Sequence, residues 1–68
     1  MKRLDLVKVL ESLGCELVRH GGKHDWYRNP NTGVSQPVPR HREIKEGLAR
    51  RIIRMLRNPD DSGSQGQT

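Results

Sequence analysis

The sequence predicts an α+β domain: one helix, three antiparallel strands and a second helix, with both helices laid on one face of the sheet. Three observations predict it. Leucines and isoleucines recur at helical spacing towards both ends of the chain. Between them the pattern changes to short runs with β-branched, aliphatic or aromatic content. Those runs are separated by Gly21-Gly22 and by Asn29-Pro30-Asn31-Thr32-Gly33, which are made almost wholly of turn formers.

The first helix is expected from about Arg3 to Leu13. Leu6, Leu10 and Leu13 fall on one face with Val7 beside them, while Lys8, Glu11 and Ser12 fall outside the stripe. Gly14 suits the left-handed position that closes a helix. Cys15 to His20 reads as the first strand, and Gly21-Gly22 as the turn into a second strand, Lys23 to Arg28. On that second strand His24, Trp26 and Arg28 share one face, and Asp25 and Tyr27 the other. Val34 to Val38 is the third strand. Pro37 and Pro39 cannot donate to a ladder, so this strand is expected to be short, at an edge, or both. After Arg40-His41-Arg42-Glu43, the residues Ile44, Leu48, Ile52 and Leu56 repeat every four positions and predict the second helix. Its regular part is expected to start near Gly47, since a mid-helix glycine costs about 1 kcal/mol against alanine. Glu46 comes early and Arg50, Arg51, Arg54 and Arg57 come later, as the helix dipole prefers. Asn58-Pro59 ends the element. Residues 59–68 carry no large apolar side chain and are expected to be a disordered tail outside a domain of residues 1–58.

Sixty-eight residues make one small domain. A chain of this size buries only about 60% of its unfolded surface, so there is no room for a cofactor domain or a deep substrate cavity. Any chemistry belongs on a surface or in a shallow groove. Thirteen Lys and Arg stand against eight Asp and Glu, a net charge of +5, and nine of the thirteen are arginine. The planar arginine fork suits phosphate oxygens, so the footprint points to nucleic acid or to an acidic protein. A single cysteine, Cys15, excludes an internal disulfide and is expected near the core as a small strand residue. With no apolar run of signal or membrane length, the cytoplasm is the expected compartment.

The stretch Gly21-Gly22-Lys23-His24-Asp25-Trp26-Tyr27-Arg28 gathers turn chemistry, a titratable nitrogen and the only two aromatic residues. It is the expected functional stretch. In a chain this poor in large residues, Trp26 is expected in the core and Tyr27 on the open side. Histidines at positions 20 and 24 are separated by a glycine turn and lack a cysteine pair, so no metal is expected.

The chain resembles the HicA family of toxins from bacterial toxin–antitoxin pairs. The likeness lies in the order and spacing of several features. They are an amphipathic helix ending in Leu13-Gly14, the run Glu16-Leu17-Val18-Arg19, and Gly22-Lys23-His24 leading to Tyr27-Arg28. Val38-Pro39-Arg40-His41 before Glu43-Ile44 and the Leu48, Ile52, Leu56 helix complete the set. Two departures are Lys23, where relatives often carry serine or glycine, and the polar third strand Val34-Ser35-Gln36-Pro37-Val38.

The resemblance implies a fold similar to double-stranded RNA-binding domains. It also implies a type II toxin that cleaves messenger RNA without metal or cofactor, and a HicB antitoxin that covers the active histidine, which maps to His24. RNA carries its own nucleophile, the 2′-hydroxyl. Its cleavage needs a base for that proton, an acid for the departing 5′-oxygen and cations for the phosphorane. Histidine can perform either transfer near neutrality. Lys23, Tyr27, Arg28, Arg40 and His41 are the expected RNA- and phosphate-binding residues. His41 is either a second proton-transfer group or a solvent-facing residue before the helix. His20 is expected to be a surface residue at a strand end. Two other classes of function fit the same composition: a non-catalytic RNA-binding module, and an interaction protein whose basic surface meets an acidic partner.

Overall fold

The structure, a computed structural model, describes residues 1–58. The expected tail, 59–68, lies outside the described residues. The order is α1 (Arg3–Ser12), β1 (Glu16–His20), β2 (His24–Arg28), β3 (Ser35–Pro39) and α2 (Glu46–Leu56). The strands form an antiparallel meander in the order β1-β2-β3. The helix–strand–strand–strand–helix architecture expected from the sequence is therefore the observed one, and β3 with its prolines is an edge strand.

Gly14 closes α1 as its residue type predicts. At φ +88° it lets its own N–H reach the carbonyl of Glu11 (3.0 Å), while Cys15 N–H reaches Leu10 (3.0 Å). These two bonds are the Schellman arrangement, which satisfies carbonyls the helix end would leave free. Cys15 follows directly into the core, and burial pushes its thiol pKa up.

The core lies between the helices and one face of β2 and β3. Leu6, Leu10, Cys15, Tyr27, Val38, Ile44, Ala49, Ile52 and Leu56 form it. Strand β1 projects past this cover, and all five of its residues are exposed. Among the described residues, no helix is long and apolar enough to cross a membrane.

Two expectations about side-chain direction are corrected. The apolar ridge of α2 is Ala49, Ile52, Ile53 and Leu56, while Leu48 is 40% exposed. The helix begins at Glu46, so Ile44 is not on its surface at all. Ile44 reaches the core from an extended segment: its N–H bonds Met1 (2.8 Å), Arg3 N–H bonds Arg42 (2.8 Å), and Lys2 and Glu43 form a β-bridge. Extending a four-residue repeat backwards from Ile52 to Ile44 rotates the predicted stripe towards Leu48, whereas the true stripe has i, i+3, i+4, i+7 spacing.

The second correction exchanges the two aromatic residues. Tyr27 is 7% exposed and belongs to the core, whereas Trp26 is half-buried on the sheet face away from the helices. The register explains the exchange. Asp25, Tyr27 and Asn29 alternate onto the helix side, and all three are buried, with Asp25 directly opposite buried Val38. Asp25 tolerates that position because three side chains bond to it.

Candidate functional site

The β1–β2 turn carries the candidate residues. Gly21 donates to the His24 carbonyl at 2.7 Å, closing a tight hairpin around Gly22 and Lys23. A Cβ on Gly21 would stand 3.0 Å from that carbonyl oxygen and 3.4 Å from the indole nitrogen of Trp26. A side chain here would press on the hairpin carbonyl and the indole, which glycine avoids.

Arg40 fixes this turn from the end of β3. Its Nε donates to Asp25 Oδ1 at 3.0 Å, and its terminal nitrogens donate to the carbonyls of Gly21 (2.8 Å) and Gly22 (3.4 Å). Asp25 in turn accepts from Arg3 at Oδ2 (2.7 Å) and from His20 Nδ1 at Oδ1 (2.9 Å). Arg3 Nε donates to the Pro39 carbonyl at 2.9 Å, which ties the start of α1 to the end of β3. An ionised carboxylate only accepts, so His20 presents Nδ1–H to Asp25. The His20 hydrogen bond first, and then Arg40, hold the Asp25 carboxyl below its usual range, against the opposing effect of burial.

These bonds place Lys23, His24, Arg40 and His41 around one cleft of about 310 Å³. Lys23, His24 and His41 are exposed. On the other side of Arg40 lies a larger cleft of about 530 Å³, walled by Lys2, Arg3, Leu4, Arg40, Arg42 and Glu43. Glu43 is engaged by the Met1 amine at 3.1 Å, so its charge is partly met and the groove is cationic on balance. Such an arrangement can hold an anion against Lys23 and pass protons through two imidazoles.

Of the expected site residues, four are therefore brought together and two are not. Tyr27 has its ring in the core and not on the open side, where it was expected to meet RNA. Arg28 is exposed at the opposite end of β2, beside Gly33 and roughly 13 Å along the strand from His24. The residues that sequence reasoning missed are Arg3, Asp25 and His20, which position the turn, and Lys2 and Arg42, which extend the basic groove. An aspartate next to His24, inside a strand, was the one local signal for the first group. Among the described residues, no three His, Cys, Asp or Glu side chains converge; His20 and His24 lie on opposite faces of the sheet.

No curated protein and no solved structure matches this chain. The family model described as HicA toxin of bacterial toxin-antitoxin matches residues 4–57, which takes in all five elements of the fold but for the first residue of α1. The chain belongs to the HicA toxin family.

Proposed function

We propose that the chain is a metal-independent endoribonuclease that cleaves messenger RNA at the Lys23–His24–Arg40–His41 cleft and is neutralised in the cytoplasm by a HicB-type antitoxin. The observation that carries this reading is the meeting of two exposed imidazoles with a lysine and an arginine at one cleft. The cleft is shallow, as an RNA strand requires.

In the proposed reaction the 2′-oxygen of the RNA bonds to phosphorus and the bond from phosphorus to the 5′-oxygen breaks. One histidine takes the 2′-hydroxyl proton and the other supplies a proton to the leaving 5′-oxygen. His24 is one of these groups, and His41, which faces the same cleft, is the other. Lys23 meets the charge that builds on the phosphorane. Arg40 has most of its donors committed to Asp25 and the glycine turn. It acts chiefly as a positioning residue, with its charge adding to the field of the cleft. A HicB-type partner that covers His24 would block RNA and the proton transfers together.

His24→Ala tests the reading. The variant is expected to keep the wild-type circular dichroism spectrum and melting temperature, to bind RNA, and to lose cleavage by about 10²- to 10⁴-fold, the usual contribution of one acid–base group. His41→Ala should lose activity on a similar scale. A folded His24→Ala protein that cuts RNA at the wild-type rate would overturn the role given to His24.

A further inference from the structure

We propose that Arg19 and Trp26, on the open face of the sheet, form a nucleobase-stacking subsite for the nucleotide beside the phosphate held at His24. This rests on the reading of the protein as an RNA-cleaving enzyme and adds where a base of the substrate sits.

Trp26 is outside the core, half-buried on the sheet face that neither helix covers. The Cζ atom of Arg19 lies 5.5 Å from the centre of its ring, a cation–π distance. A β-bulge between Leu17 and Arg19 shifts the register, and Val18 joins Arg19, Trp26 and Ser35 around a shallow cleft of about 340 Å³. Bulges re-aim side chains in this way. The same indole reaches back to the catalytic turn, where its Nε1 is the second atom that a Cβ on Gly21 would meet. His24 is two residues earlier on the same face, roughly 7 Å along the strand.

The occupant is argued from charge and shape. Arg19, His24 and Arg28 stand on this face, with Glu16 its acidic residue on β1. An aromatic ring with one guanidinium over it, on a face that carries a second arginine, matches a planar base on a polyanionic strand, since every base has a π-face and its neighbouring phosphates need cations. A Phe or Leu anchor from a protein would use the apolar ring but leave the arginines unanswered.

Trp26 is the single tryptophan, so its fluorescence reports on this position alone. His24→Gln protein, which keeps the RNA whole, is titrated with a mixed-sequence single-stranded RNA and with an abasic ribose-phosphate strand of equal length. Quenching by the first and little or none by the second is expected. With His24 intact, Trp26→Ala and Arg19→Ala should each raise KM for a short RNA, by roughly 10- to 100-fold for the indole, with kcat nearly unchanged; Trp26→Phe should fall between. If RNA is bound and cut in a His24-dependent way while the fluorescence stays constant or Trp26→Ala keeps its KM, the subsite is wrong and the nuclease reading stands. Quenching by an antitoxin but by no RNA likewise overturns it, in favour of a protein interface. Absence of His24-dependent cleavage on any RNA sinks the parent reading instead, whatever the fluorescence does.

Discussion

Asp25 accepts hydrogen bonds from Arg3 on α1, His20 on β1 and Arg40 after β3, so one carboxylate joins three separate segments at the turn that presents His24. Its lowered pKa makes this junction sensitive to acid. A carboxyl whose folded-state pKa lies below its unfolded value stabilises the fold at every pH above the unfolded value, and that contribution disappears as pH falls through the lowered folded value. The melting temperature of the wild type should therefore exceed that of Asp25→Asn at neutral pH. The two curves should converge at pH values beneath the ordinary carboxylate range of about 4. Parallel curves from pH 7 to pH 2 would show that the cluster contributes nothing through charge. Arg40→Lys separates positioning from folding. An ammonium group cannot bridge Asp25 and the Gly21 carbonyl in the way the forked guanidinium does. Cleavage is expected to fall on the order of 10²-fold, as for a displacement near 1 Å, with an unchanged circular dichroism spectrum. The place of His24 beside a glycine turn is legible in the sequence because the glycines, Lys23 and the imidazole are neighbours along the chain, while its active role is what the family resemblance implies. The Asp25 junction is not legible there, because Arg3 and Arg40 stand 22 and 15 residues away from it.

The elements themselves could be read from spacing and turn chemistry, since both helices and all three strands have local causes: the Leu6–Leu10 stripe, the glycine at position 14, the paired glycines and the Asn-Pro loop. What spacing could not supply was which face of each element is covered. The alternation on β2 has two solutions, and the choice between Trp26 and Tyr27 was made by Asp25 and Asn29, two polar residues that hydrophobicity assigns to solvent. Asn29 is fully buried because its amide works across elements. Its Nδ2 donates to the Leu56 carbonyl at 2.7 Å and to Asn58 at 2.8 Å, and its Oδ1 accepts from Asn31 N–H at 2.9 Å. The β2–β3 loop is thereby fastened to the end of α2. Asn29→Ala leaves a buried carbonyl short of a donor and should cost about 1–3 kcal/mol in urea unfolding. The corrected face of α2 makes a paired prediction. Leu48→Gln, on the exposed flank, should stay within about 0.5 kcal/mol of wild type, whereas Ala49→Leu should cost about 1–3 kcal/mol by overpacking the fully buried contact. The reverse ranking would restore the four-residue stripe that the sequence suggests.

Across the whole molecule the basic side chains behind the net charge of +5 fall on several surfaces, and two of them differ in their relation to the clefts. One is the groove on either side of Arg40, with Lys23 and His41 at one end and Lys2 and Arg42 at the other. The other is the exposed flank of α2, where Arg51 and Arg54 line neither cleft. The total charge of a basic protein steers a polyanion towards it from a distance, but only cations that touch phosphate release counterions from a strand. The two groups can therefore be told apart by salt. Binding of a non-cleaved single-stranded RNA to His24→Gln protein should weaken linearly on a plot of log affinity against log salt concentration. Each phosphate contact adds about 0.7 to that slope for a single strand. Replacing Lys2 and Arg42 together by glutamine should reduce the slope by about 1.4. Replacing Arg51 and Arg54 together removes the same formal charge and should leave the slope nearly as it was, with a small uniform loss of affinity. Equal slope changes from the two pairs would mean that RNA reads the charge of the domain as a whole, and that the groove across Arg40 is not its path.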